Sequence, residues 1–200
     1  MTAIVAKTDG DRPLQTRHNT ATSSASDLLV GLGWDPLETD SGAPFDGDLM
    51  WFLLNAEGKV IPNGVVYYKR PVSQDGSCYI GTDNRDGEGP GEDEVGGVCR
   101  ELIPSSVHKV VGVASIYQAQ KRDQHFGLPE RGFVTVTDRT TNRQGDVTHE
   151  PLSKFAHRDA IVACELTRDR SAIGGWAQNT NMRGADFATL MNEFGVEIKY

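Results

Sequence analysis

Residues 49–55 read LMWFLLN, six apolar side chains in a row before the first polar one. The run is bounded by Asp48 on one side and by the turn Asn55-Ala56-Glu57-Gly58 on the other. It has the length of a strand and lacks the period-2 alternation of a half-solvated one, so it reads as a strand buried on both faces. A fold that contains it must cover that strand from two sides.

Other short β-like runs follow the same punctuation by Gly, Pro and Asp. They are DLLVGLGWDP, stopped at Asp35-Pro36, then GVVYYKR (64–70), EVGGVCREL (94–102), KVVGVASIY (109–117), GFVTVTDRT (132–140) and AIVACELTR (160–168). Many short strands without regular β-α alternation predict a mainly β fold, an antiparallel β-sandwich. One helix stands out near the C-terminus. Phe187, Leu190, Met191 and Phe194 fall at i, i+3, i+4 and i+7, with Asp186 in the first turn and Gly195 as the stop. Those four are core residues packed on the sandwich. A minor helical turn is expected near 118–124. Residues 1–27 form an N-terminal extension, with an edge strand at Ala3–Lys7 and a small, polar stretch at Thr20–Ser26, and residues 28–200 form the domain.

The chain has 200 residues, 28 acidic against 20 basic, for a formal net charge of -8. That balance argues against nucleic acid or an anionic membrane surface as the main partner. No stretch approaches the ~18 apolar residues of a membrane helix, and MTAIVAKTDGDRP lacks the apolar segment of a signal peptide. The expected compartment is the cytoplasm. Cys78, Cys99 and Cys164 are odd in number and dispersed, which predicts three small, partly buried thiols and neither a disulfide framework nor a zinc site.

The acid is concentrated. Gly81–Glu94, GTDNRDGEGPGEDE, holds six carboxylates, four glycines and a single cation, Arg85, with no aliphatic or aromatic side chain. Hard divalent cations take several oxygen ligands from a flexible backbone, calcium 6–8 of them. Asn84-x-Asp86-x-Glu88-Gly89 opens like an EF-hand loop, but the twelfth position is Val95 and the flanks read as strands. Composition alone leaves two readings open, a metal-binding loop and a solvated acidic loop. A second acidic pair, Asp46 and Asp48, precedes the buried strand. Residues i and i+2 share one face of an extended chain, so both carboxylates can aim at one point; the competing reading is a polar turn.

GLGWDP (31–36), FDGDLMWFLLN (45–55) and DNRDGEGPGEDE (83–94), in that order, resemble the TerD family of tellurium-resistance and stress-response proteins. DQHFGLPERGFVTV (123–136), Ala163–Leu166 and the segment from Trp176 to Gly195 are similar to its later parts, so the resemblance covers roughly residues 28–197. It implies a β-sandwich that binds one or two calcium ions at one end and has no catalysis of its own. It also implies the ligands: Asp46 and Asp48, then Asp83, Asn84, Glu88, Asp93 and Glu94, with backbone carbonyls from Arg85 and Gly89. Pro90, Glu92 and Gly47 depart from the family's pattern, and the missing carboxylate at position 90 bears on the second ion. Trp34 reads as a core aromatic and Asp35 as a turn acid.

Enzyme signatures are missing from the sequence: there is no GxSxG, HExxH or phosphate-binding loop, and the five histidines show no metal spacing. The expected function is therefore a non-catalytic, calcium-binding scaffold or assembly module in a stress response, acting through protein partners or self-assembly. The alternative is a calcium-stabilised structural component of a phage or other large assembly, with a virion location. A metal-assisted hydrolase using Asp46 and Glu88 ranks below both.

Overall fold

The computed structural model describes residues 2–5, 26–37, 39–40, 42–140 and 146–199. The flexible stretch expected at Thr20–Ser26 and the Lys7 end of the first strand lie almost wholly outside them.

The apolar run lies within β3 (Gly47–Leu54), whose eight residues are all buried. β3 sits inside a sheet ordered β11-β10-β7-β3-β4, where β4 is Val60–Val66, β7 Lys109–Ile116, β10 Ala160–Arg168 and β11 Trp176–Asn179; β12 (Arg183–Ala185) also pairs with β10. The second sheet is ordered β5-β6-β2-β8-β9, made of β2 (Leu28–Trp34), β5 (Cys78–Ile80), β6 (Glu94–Val98), β8 (Gly132–Asp138) and β9 (Asp146–Pro151). Every pair inside these two sheets is antiparallel. One parallel pair, β1 (Thr2–Val5) with β13 (Val196–Lys199), stands apart from them.

The two faces of β3 explain why its sequence does not alternate. Leu49, Trp51 and Leu53 point between the sheets, into a core shared with Leu28, Val30, Leu32, Val134 and Val136. Met50, Phe52 and Leu54 point outward and are covered by Leu190, Met191 and Phe194 of a helix, so burial is total on both sides. That helix, α2 (Phe187–Phe194), follows the one-turn α1 (Ala119–Arg122) in chain order. Asp186 caps α2, accepting the Thr189 N–H at 2.9 Å, and Gly195 ends it in the left-handed conformation. Fully burying side chains of this size contributes about 1.5–3 kcal/mol each, which makes β3 the energetic centre of the fold. Cys78, Cys99 and Cys164 are buried free thiols. Among the described residues no helix is long and apolar enough to cross a membrane.

Candidate metal centre

β3 begins where two acidic segments meet. Asp48 is the second residue of the strand and Glu94 the first residue of β6, both almost fully buried. Asp83 lies in the loop between β5 and β6. One carboxylate oxygen from each of Asp48, Asp83 and Glu94 falls within 4.8 Å of the other two. Glu94 is fixed in place because its Oε2 accepts the Leu49 N–H at 2.7 Å, across the gap between the sheets. The centre is thus assembled from one residue of each sheet and one of the intervening loop.

The loop from Asp83 to Asp93 is folded by its own polar side chains. Asn84 Oδ1 accepts the Asp86 and Gly87 N–H groups at 3.2 and 3.0 Å, while its Nδ2 donates to Asp93 Oδ1 at 3.0 Å. Asp93 Oδ2 in turn accepts the Trp34 N–H at 2.8 Å, and Asp86 Oδ1 accepts the Glu88 N–H at 3.1 Å. Gly87 closes the turn at φ 72°, where a Cβ would stand 2.5 Å from Trp34 Nε1 and 2.7 Å from Trp34 O. Both the conformation and the contact require glycine there. Burial, with Asp86 and Asp35 nearby, pushes the Asp93 carboxyl above its ordinary range despite the Trp34 hydrogen bond.

Beneath the loop runs a row of rings. Trp34 meets Phe45 edge-on at 5.9 Å, and Phe45 meets Phe126 at 6.2 Å. Gly47 makes room for this row, since a Cβ there would crowd Leu32 and the Trp34 ring. Gln124, next to Phe126 in sequence, is buried and donates from Nε2 to Thr39 Oγ1, Ala43 O and Pro44 O at 3.1–3.2 Å. It ties down the chain that delivers Phe45, Asp46 and Asp48. Asp35 pairs with Arg131 at 2.6 Å and is half-exposed.

Of the nine sequence-identified ligand positions, three converge: Asp48, Asp83 and Glu94. Asp46 is buried beside them, with its carbonyl accepting the Tyr117 N–H at 2.8 Å, but it stands outside that group. Asn84 and Asp93 spend the hydrogen bonds above on shaping the loop. Glu88 and Gly89 are exposed, and Arg85 is half-buried. Sequence reasoning passed over Ser115, a buried hydroxyl directly opposite Asp48 on β7. The signal was present: Ser115 is the one hydroxyl in the apolar run 110–116.

The model of the TerD domain matches residues 14–194. The chain belongs to the TerD family. It is 37% identical to the tellurium resistance protein TerD of Serratia marcescens over 180 residues, covering 88% of this chain and 91% of that one. General stress protein 16U of Bacillus subtilis (strain 168) is 32% identical over 179 residues, covering 86% and 89%. Among solved structures, a homologue of the telluride resistance protein (TerD) from Streptomyces coelicolor A3(2) superposes with a TM-score of 0.68 at 22% identity, over 81% of this chain and 91% of that one. The acidic group of this TerD-family sandwich lies where the loop Gly81–Glu94 meets the FDGD segment at 45–48.

Three carboxylates at this spacing fit a divalent cation. Calcium–oxygen distances of about 2.3–2.6 Å place the oxygens around one ion up to about 5 Å apart. Crowding three carboxylates raises the free energy of the ionised state, and a cation offsets that.

Proposed function

We infer that this TerD-family protein is a calcium-binding stress-response protein, non-catalytic, that works as a scaffold or assembly module. The observation that carries the reading is the convergence of Asp48, Asp83 and Glu94 from two sheets and the loop. The names of the relatives, tellurium resistance and general stress proteins, support the stress-response role. Calcium would be held by these three carboxylates, would screen the remaining acid of the loop, and would fix the loop against the sandwich. Exposed Glu88, Gly89 and Pro90 would then present an ordered surface to a protein partner or a second copy.

Isothermal titration of the full chain with calcium tests the reading. Saturable binding with a rise in melting temperature is expected, and Glu94→Gln is expected to remove both. Absence of heat and of any melting shift at millimolar calcium overturns it.

A further inference from the structure

On the outer face of the first sheet, Asp48 and Ser115 lie side by side in register, and Ser115 pairs onward with Ala160, next to Asp159. Asp48, Ser115 and Asp159 border a cavity of about 340 Å³ between that face, residues of α1 and the start of α2. The volume lies at the small end of the ~300–1,000 Å³ range of ligand sites. Its walls are largely apolar, with Met50, Tyr68, Tyr117, Phe187 and Ile198 among them.

The charges in the cavity favour one sign of ligand. Asp48 and Asp159 line it, against Lys121, which is exposed on α1 and can hold its ammonium in water. The N-terminus of α2 does not supply a free anion site there. Its Phe187 N–H goes to Asp159 Oδ1 at 2.8 Å and its Thr189 N–H to Asp186. Burial, with Asp186 nearby, holds the Asp159 carboxyl above its ordinary range, a cost that an approaching cation would relieve.

The wall formed by α1 is held in an unfavourable backbone geometry. Gln118 before it and Asp123 after it both sit in the left-handed region, at φ 50° and 51°. Two non-glycine residues there cost ~1 kcal/mol or more each, and such strain persists where the surroundings over-determine it. Just after Asp123, the Gln124 side chain is hydrogen-bonded to Thr39, Ala43 and Pro44.

We propose that this cavity is a binding site for a small amphipathic organic cation, an ammonium group on an aromatic or branched aliphatic body, with Asp159 as its counter-ion. The apolar body lies against Met50, Tyr117 and Phe187. Asp48 belongs both to this cavity and to the three grouped carboxylates, but the counter-ion Asp159 lies outside that group, so cation binding through Asp159 does not require the calcium reading to hold.

The test is a proton–nitrogen NMR titration of the full chain with phenethylammonium, in EDTA and again in excess calcium. The matched anion 3-phenylpropionate serves as the comparison. Saturable shifts confined to residues 115–121, 159 and 187–188 are expected with the cation under both conditions, and none with the anion. Asp159→Asn keeps an acceptor for the Phe187 N–H and is expected to weaken cation binding about tenfold or more, the loss of one charge-assisted hydrogen bond. Ala188→Phe, at an exposed position on the cavity rim, is expected to block it with the rest of the spectrum unchanged. Equal binding of the anion, unchanged affinity in Asp159→Asn, or no saturable shift with phenethylammonium overturns the proposal. Loss of calcium heat without loss of these shifts would overturn only the calcium reading.

Discussion

Asp186 and Asp93 each accept a backbone N–H, and their carboxyls move in opposite directions. At Asp186 the Thr189 N–H and hydroxyl, both at 2.9 Å, lower it below its ordinary range, because it stands at an exposed helix start. Asp169 behaves in the same way under the Ser171 hydroxyl and N–H. Asp93 takes the Trp34 N–H and the Asn84 amide, yet burial and neighbouring carboxylates raise it. Hydrogen bonds to the ionised form are similar in the two regions. Desolvation and like charge decide the difference. The helix cap is complete as built, whereas the acidic end is arranged so that added positive charge stabilises it.

The largest expected effect is steric. Gly87→Ala is expected to cost about 3 kcal/mol in urea unfolding, combining left-handed strain with overpacking against Trp34. Gly58→Ala, in the β3–β4 turn with a similar φ and nothing within 4 Å, should cost only about 1 kcal/mol. Equal losses would break the claim that the loop is packed on the Trp34 end of the sandwich. Next comes calcium. At a hundredfold excess over its Kd the ion should add about 2.7 kcal/mol, read as a calorimetric melting shift. Asp48→Asn is expected to abolish that increment and Asp186→Asn to leave it intact. Asp186→Ala should itself cost about 1 kcal/mol as a lost cap, the same with calcium or EDTA.

The smallest effect is in the pH dependence. For Asp186 the folded pKa is lowered, so its stabilisation is present above the unfolded value and lost as pH falls through the folded one. For Asp93 the folded pKa is raised, so stability is highest below the unfolded value, near pH 4, and declines as pH rises through the folded one. Thermal melts of Asp93→Asn in EDTA should lack that decline. A variant that keeps it would assign the slope elsewhere.

The strands legible in the sequence are those whose side chains enter a core. β2, β3, β6, β7, β8 and β10 were each visible as apolar runs because both sandwich faces need them. β9 was not, since DVTHEP is mostly exposed and becomes a strand by pairing with β8. β5 and β12 have three residues each, too few for a periodic signal. The run 64–70 begins inside β4 but turns at Tyr67, where Tyr67 and Arg70 exchange backbone hydrogen bonds. At the acidic end, the i, i+2 spacing brought out Asp48, and the resemblance to the TerD family implied Asp83 and Glu94. They could not separate ligand from scaffold at Asn84, because an amide that closes a turn and one that faces an ion look alike in sequence. Only the partners of Asn84 Oδ1 make that distinction. The cavity beside Asp48 left a fainter trace, a lone serine in the otherwise apolar run 110–116.

A crystal structure of the full chain grown with calcium tests the central claim most directly. The account predicts an ion bonded to carboxylate oxygens of Asp48, Asp83 and Glu94 at about 2.3–2.6 Å, with Asn84 still closing the turn at Gly87. Calcium held by other residues while these three carboxylates bind none, or no ion at millimolar calcium, would contradict it.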